Sequence, residues 1–542
     1  MSVQHLHSVV AVCEMTMQRL RSPFTVCGVT MQHLHSVVAV CETTMQHLHS
    51  PFTVCEMIMQ HQRGLFTVCE MIMQPLRSLF GVCNSDHTPG GGVWKAFLRG
   101  FAGIWAGRFS PRLIVDHKRA GSTREKIVTG GGWRYGKRNT FGPISNRLAS
   151  TYMLDFNDTQ IAFEAKSDSE LRNARLLFGT IKHPGLVKLA KLGTNIALGI
   201  HFPLGWIVKP TLYKQFVGGE TIEDCARTVA GLRRFGVKST LDYSAESKQT
   251  PEGIEATMKE TLRSVDNAKG NPDIAYAVFK PSTLTTDALL AKASEHPEQL
   301  TAEEKAAHEA YHQRFLALCQ RAYDNDVRIL VDAEDYCFQD SIDAMTDEAM
   351  RMFNKRRAIV FATLQMYRHD RMPYLRRILE DAKEKGYTAG IKFVRGAYME
   401  DERARAAAMG YPDPICKNKQ ATDDNYNQGV EFVIENLDHF ELFMGTHNEE
   451  SNYRLAKLIE KKGLRHDDPR IFFAQLFGMS DNISFNLAYA GYNVTKYVPY
   501  AKVRDVLPYL LRRAEENTSV AGQTTRELNM LNLETERRKR AK

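Results

Sequence analysis

Two arginines, Arg512 and Arg513, stand one helical turn before two glutamates, Glu515 and Glu516, in the stretch YLLRRAEEN at 509–517. Guanidinium forks bind carboxylates through paired hydrogen bonds, so adjacent arginines suit a clamp for a small anion. The same spacing also makes a solvated, salt-bridged surface, because Arg512 and Glu516 are four residues apart. On a helix Arg512 and Glu516 share a face, with Arg513 about 100° away. What lies beneath that helix decides between the two.

From Gly236 onward the chain alternates short apolar, β-prone runs with helical ones. The runs are VKSTLDY (237–243), AYAVFK (275–280), VRILVDA (327–333), AIVFATLQMY (358–367), IKFVRGAY (391–398), ELFMGTH (441–447), IFFAQLF (471–477) and NVTKYVP (493–499). Helical stretches such as MPYLRRILEDAKEKG and NYRLAKLIEKKG lie between them. Alternation of this kind predicts a parallel sheet, and eight units predict a distorted (β/α)8 barrel. An open doubly wound sheet is the other arrangement, but no strand here is followed by GxGxxG.

Barrel chemistry sits at the strand C-terminal ends. Those ends carry Lys280, Asp332, Gln365, Arg395 with Tyr398, His447 with Asn448, Leu476 and Tyr497. Lys392 alternates in phase with Val394, so it is predicted to point into the barrel, where a lone ammonium needs an anion or a strong acceptor. For Lys280 and Asp332 a structural ion pair is the rival reading. For His447 the rival is a capped loop histidine. The last helix, expected from Val503 to Glu516, carries Pro508, which predicts a kink or a late start. If that helix caps the barrel mouth, both arginines reach a ligand above the strands.

HEAYH at 308–312 satisfies the HExxH pattern of zinc hydrolases. Its helix precedes the third strand and is expected outside the barrel, at the end away from the site. His308, His312, Phe315 and Cys319 form one stripe without a nearby third ligand, so packing is preferred and no metal is expected.

Residues 237–525 are thus the barrel and 153–236 a helical arm. In the arm, SDSELRNARLLFGTI opens on a Ser cap and TIEDCARTVAGLRRFG ends on Gly236. Residues 526–542 read as a charged tail. Residues 1–90 hold near-copies of a 14-residue unit such as MQHLHSPFTVCEMI (45–58), with Cys13, Cys27, Cys41, Cys55, Cys69 and Cys83 in step. The unit lacks the flanking charges of a coiled coil, so it is expected to be a low-complexity appendage or translated repeat DNA without a fold. Residues 91–152 form a Gly- and Arg-rich linker.

The net charge of +8 arises in residues 91–150, which carry twelve Lys/Arg against two Asp/Glu. The body is near neutral, which excludes a nucleic-acid footprint there. No CxxC pair occurs among Cys225, Cys319, Cys337 and Cys416. That pattern predicts a reducing compartment rather than a disulfide framework. No apolar run is long enough to span a bilayer.

IKFVRGAYME (391–400), GTHN (445–448), AQLFGM (474–479) and VLPYLLRRAEEN (506–517), with LVDAED (330–335) and AVFKPS (275–280) in order, resemble the proline dehydrogenase family. The likeness runs from about Met153 to Thr525 and is closest to stand-alone bacterial forms. It implies oxidation of L-proline to Δ1-pyrroline-5-carboxylate, FAD over the strand ends, and electrons passed to a membrane quinone through peripheral membrane contact. It also implies that Arg512 and Arg513 pair with the proline carboxylate, Lys280 assists, and Asp332 holds Lys280. Tyr398, Leu476 and Tyr497 pack the ring, and Glu516 holds the arginines or the flavin. Gln365, Lys392, Arg395, Gly396, Ala397, Met399, Thr446, His447 and Asn448 are the implied FAD contacts, with Gly396 letting the backbone approach the cofactor. Phe393, Phe477 and Met399 depart from the common family pattern. The implied location is cytoplasmic or inner-membrane peripheral in a bacterium and mitochondrial in a eukaryote. A zinc hydrolase at HEAYH, or a repeat-driven interaction protein with a dead barrel, are the rival functions.

Overall fold

The computed structural model describes residues 154–182, 185, 208–245, 249–519 and 523–542, with backbone alone for 514–519 and 523. The expected repeat region 1–90, the linker 91–152 and the side chain of Glu516 lie outside the described residues.

Eight strands close a barrel in chain order: β1 Val237–Tyr243, β2 Ile274–Phe279, β3 Ile329–Val331, β4 Val360–Gln365, β5 Ala389–Val394, β6 Phe440–Gly445, β7 Ile471–Leu476 and β8 Val494–Tyr500. Every neighbouring pair is parallel, and β8 returns to β1 in an unbroken register from Val237↔Val494 to Tyr243↔Tyr500. Parallel strands are buried on both faces, which is why these runs are almost continuously apolar. One face packs on the surrounding helices. The other fills the barrel, where the ring of Tyr276 meets Phe361, Phe443 and Phe472 edge-on at 4.9–5.3 Å between centroids. Such edge-to-face contacts align ring quadrupoles favourably and leave the interior solid.

Below that aromatic layer, at the strand N-terminal ends, Arg328 donates to Glu441 through Nε at 3.0 Å and Nη2 at 2.7 Å. Glu441 also accepts the Ala358 N–H at 3.1 Å, so the buried pair is satisfied from both sides.

The helices relevant to the site are α1 Thr159–Phe163, α2 Asp168–Ile181 and α3 Ile222–Arg233 in the arm, and α4 Pro251–Ala268, α5 Asp287–Glu295, α6 Ala302–Asp324, α7 Tyr336–Phe353, α8 Arg371–Lys385, α9 Met399–Met409, α10 Lys419–Glu435, α11 Glu449–Lys461 and α12 Asp481–Tyr489 around the barrel. Two more follow β8: α13 Val503–Ser519 and α14 Gln523–Arg540. Ser167 and Thr221 close reciprocal capping boxes on α2 and α3, which fixes where the arm helices begin.

Helix α13 is held by a second apolar core, distinct from the barrel's. Its Val506, Leu507 and Leu510 pack with Leu171 and Phe178 of α2 and with Phe216. The arm therefore serves to seat the helix that bears Arg512 and Arg513. Helix α13 starts at Val503, five residues before Pro508, so the late start expected from that proline does not occur. Residues 526–542, expected as a charged tail, are instead most of α14, whose Met530 and Leu531 are buried in the same second core.

Candidate active site at the strand C-terminal ends

Asp332 follows β3 and accepts three hydrogen bonds at the top of the barrel. Lys280 Nζ donates to Oδ2 at 2.8 Å, Lys392 Nζ to Oδ1 at 2.5 Å, and the Tyr497 hydroxyl to Oδ2 at 2.9 Å. Burial opposes the Asp332 charge, but the two ammonium groups outweigh it and hold the carboxyl well below its ordinary range. Lys392 points inward as its phase predicted, and Asp332 is the anion it needed. Burial likewise works against the charge of Lys280, and Asp242 and Asp332 overcome it, raising that lysine. The Lys280 side chain keeps 30 % of its surface exposed against 7 % for Lys392, so Lys280 is the one able to reach outward. The ion-pair reading of Lys280 and Asp332 and the site reading therefore describe one arrangement.

The rim is built by the loops after β4, β5 and β6. Arg395 is fixed on three sides, donating to Asp423 and Thr446 at 2.7 Å and to Ser451 at 3.1 Å, with its guanidinium 4.3 Å from the Tyr426 ring centroid. Gly396 has φ +129°, and a Cβ there would fall 2.5 Å from ring carbons of Tyr367. The need for glycine is thus set by the protein's own backbone and Tyr367, a reason that the sequence alone does not show. Gly396, Ala397 and Met399 are exposed, and Tyr398 is half-buried at the start of α9. Gln365 donates to the Glu334 carbonyl at 2.5 Å. Asn448 caps α11, its side chain accepting from the Ser451 N–H at 2.9 Å. His447 shares a hydrogen bond with Ser480 at 2.9 Å, and burial, aided by Lys496, Arg513 and Arg395, pushes its pKa down to about 3. A neutral imidazole at the rim is the result.

Arg512 is exposed and Arg513 half-buried, with the Arg513 guanidinium 5.2 Å from the Tyr509 ring centroid. Both charges are felt inside the mouth. The Tyr398 hydroxyl is raised by burial first and by Glu334, with Lys280 and Arg512 opposing. Arg513 acts in the same way on His447. Leu476, at the end of β7, packs on both the barrel interior and the second core.

Glu334 is a member of the site that sequence reasoning missed. It is buried two residues beyond Asp332 and accepts the Ser282 N–H at 2.6 Å and hydroxyl at 2.5 Å. Burial raises its carboxyl to about 7, against the pull of Ser282 and Lys280. The available signal is the second acid of LVDAED, which follows the strand as closely as an inward-facing residue must. The loop after β7 also carries more than its sequence suggests. Gly478, at φ +81°, lies so close to the Gln215 backbone that a Cβ there would overlap it, and Glu527 of α14 accepts the Ser480 N–H.

The HEAYH histidines face α7: His312 bonds Glu348 at 2.8 Å and His308 approaches Ser341 at 3.4 Å. Phe315 and Cys319 are fully buried, so the stripe packs the helix down. One expectation is corrected. A helix leading into a parallel strand starts beside that strand's C-terminal end, and contact with the early turns of α7 puts His308 in the upper half of the molecule.

The residues fit a flavin. Exposed residues Gly396 and Ala397, a rigidly held Arg395 and a neutral His447 offer donors, acceptors and positive charge at the strand C-terminal ends. The model for the proline dehydrogenase family matches residues 225–526. The chain is 34% identical over 319 residues to the carbapenem antibiotics biosynthesis protein CarD of Pectobacterium carotovorum, covering 58% of this chain and 81% of that one. It is 31% identical over 374 residues to proline dehydrogenase 1, mitochondrial, of Arabidopsis thaliana, covering 61% and 75%. With human proline dehydrogenase 1, mitochondrial, it shares 43% identity over 231 residues, 42% of this chain and 38% of that protein. Among solved structures, proline utilization A from Bdellovibrio bacteriovorus superposes with a TM-score of 0.52 at 18% identity, over 68% of this chain and 36% of that one, a likeness of fold.

Proposed function

The chain belongs to the proline dehydrogenase family, and we propose that it oxidises L-proline with the groups assembled at the top of its barrel. It is a flavin-dependent oxidoreductase, and the reading here takes the flavin as FAD and the product as Δ1-pyrroline-5-carboxylate. A bound flavin supplies the hydride acceptor for the ring carbon next to nitrogen.

The chain's own contribution is placement and charge. Arg512 and Arg513 take the substrate carboxylate, since bidentate guanidinium–carboxylate pairing fixes orientation as well as affinity. Lys280, steadied by Asp332, adds a third positive group below them. Tyr398, Leu476 and Tyr497 wall the ring and set its tilt, which matters because hydride transfer needs approach to roughly 3–3.5 Å. Gln365, Lys392, Arg395, Gly396, Ala397, Met399, Thr446, His447 and Asn448 hold the cofactor. Lys392 places a buried cation where it stabilises charge gained by the cofactor. Glu516, next along α13, holds the arginines or the flavin.

The observation that carries this reading is the Asp332 cluster at the top of the barrel: two lysines and a tyrosine share one buried carboxylate, and the charges of Arg512 and Arg513 act on Tyr398 and His447 at the same end. The quinone acceptor belongs to the same reading. No helix among the described residues is long and apolar enough to cross a membrane, and the same reading has the electrons delivered through peripheral contact. In a eukaryotic cell the reading places the enzyme in the mitochondrion. The purified protein is expected to be yellow and to lose its visible absorbance when L-proline is added without oxygen. A colourless protein that takes up no FAD, or a yellow one that L-proline leaves unchanged, defeats the reading.

A further inference from the structure

Helix α14 places two adjacent side chains, Arg526 and Glu527, on two different loops at the top of the barrel. Arg526 donates to Glu449, the first residue of α11, at 2.9 and 3.2 Å, so it holds the loop after β6 that carries Thr446, His447 and Asn448. Glu527 is buried and accepts the N–H of Ser480, in the loop after β7. Ser480 joins the two loops. Its hydroxyl shares a hydrogen bond with Nδ1 of His447 at 2.9 Å, and its carbonyl accepts the Ser484 N–H at 3.1 Å. The Ser480 backbone stands at φ +49°, in the left-handed region that a residue with a Cβ keeps only where its surroundings over-determine it. Ser480 is itself buried, so removing Glu527 would strand its N–H away from water.

A buried ion network braces the same point. Asp481, next after Ser480, pairs with Lys496 of β8 at 2.9 Å and with Lys166 of the arm at 3.1 Å. Burial raises Glu527 to about 7, with Asp481 adding and Ser480, Lys496 and Lys166 opposing. Charged or neutral, the carboxyl offers Ser480 an acceptor oxygen. We propose that Glu527 is a positioning residue of the active site: its oxygen fixes Ser480, and the Ser480 hydroxyl sets the imidazole of His447, leaving Nε2 as the nitrogen for the cofactor. This rests on the reading that places His447 against the flavin, and extends it to a helix outside the barrel.

The test is a double-mutant cycle on the full-length protein, read as the dissociation constant of FAD. Glu527→Ala should raise that constant about five- to tenfold, and His447→Ala by at least as much. The double variant should lose no more than His447→Ala alone, because the glutamate acts only through that histidine. Glu527→Gln keeps an oxygen for the Ser480 N–H and should bind FAD within about twofold of the parent. Thermal unfolding establishes that each variant is folded, and Glu527→Met, which fills the same space without an acceptor, takes the place of an alanine variant that does not fold. A merely structural Glu527 predicts losses that add to those of His447→Ala. Additive losses, or FAD binding unaltered by the alanine or methionine variant, overturn the proposal and leave the reading of His447 standing. A His447→Ala protein that binds FAD as the parent does overturns both.

Discussion

The barrel carries a buried ion pair at each end, and the two are built differently. At the bottom, Arg328 and Glu441 form a one-to-one pair whose remaining hydrogen-bonding capacity goes to the Pro469 carbonyl and the Ala358 N–H. At the top, one carboxylate, Asp332, serves two lysines and a tyrosine. The bottom is a plug: it closes the core and asks for nothing more. At the top two lysines share one carboxylate, and the Lys280 side chain keeps 30 % of its surface exposed, which suits the arrival of an anion. A buried pair by itself is therefore weak grounds for assigning a site. What matters is whether the protein's own groups complete it.

That contrast is easiest to break at Asp332. Asp332→Asn leaves Lys280 and Lys392 facing an uncharged amide, and breaking a buried pair from one side costs about 3–5 kcal/mol. Both stability, from denaturant unfolding, and kcat/KM for L-proline are expected to fall. Glu441→Gln strips the plug in the same way and should cost a similar about 3–5 kcal/mol of stability. Here kcat and KM of the folded enzyme should be unaltered, and a changed KM would show that the bottom is not merely structural.

A smaller effect separates Glu334 from both. Its folded pKa is raised from the ordinary carboxyl value of 4.5 to about 7, so folding favours its protonated form. Its contribution to stability is full below the ordinary carboxyl range and is lost as pH rises through about 7. The loss amounts to about 3 kcal/mol, because each tenfold change in proton affinity between the folded and unfolded chain is worth about 1.4 kcal/mol. Unfolding of the parent and Glu334→Gln proteins across pH 4 to 9 checks it, the two drawing apart as pH rises and running parallel above about 8. Curves parallel throughout would mean that Glu334 keeps an ordinary pKa.

Most of the framework is legible in the chain because doubly buried strands leave a dense signal. β1 and β8 fall within one residue of the runs at 237–243 and 493–499, while β3, expected over 327–333, shortens to Ile329–Val331. The inward aim of Lys392 follows from alternation alone. Its partner does not, because Asp332 lies 60 residues away and only barrel closure brings the two together. Helix α14 is hidden by its composition. Its apolar residues are sparse, and Arg538, held by the buried Glu534 on the same helix, ties it to the arm by donating to the Phe163 and Lys166 carbonyls and to Asp168. The capping role of Asn448 is legible in principle, since an asparagine before an acidic first turn is a cap signal, but the family resemblance points only to its part as a ligand.

The central claim is that the cations at the top of the barrel are there for the substrate's carboxylate, and it is tested most directly by substrate preference. For the parent enzyme kcat/KM should favour L-proline over L-prolinamide, which lacks the anion, by well over tenfold, since charged hydrogen bonds are worth about 1.5–3 kcal/mol. In Arg512→Ala the preference should collapse, with KM for L-proline raised more than about tenfold and KM for the amide little changed. The same preference in parent and variant would contradict the account.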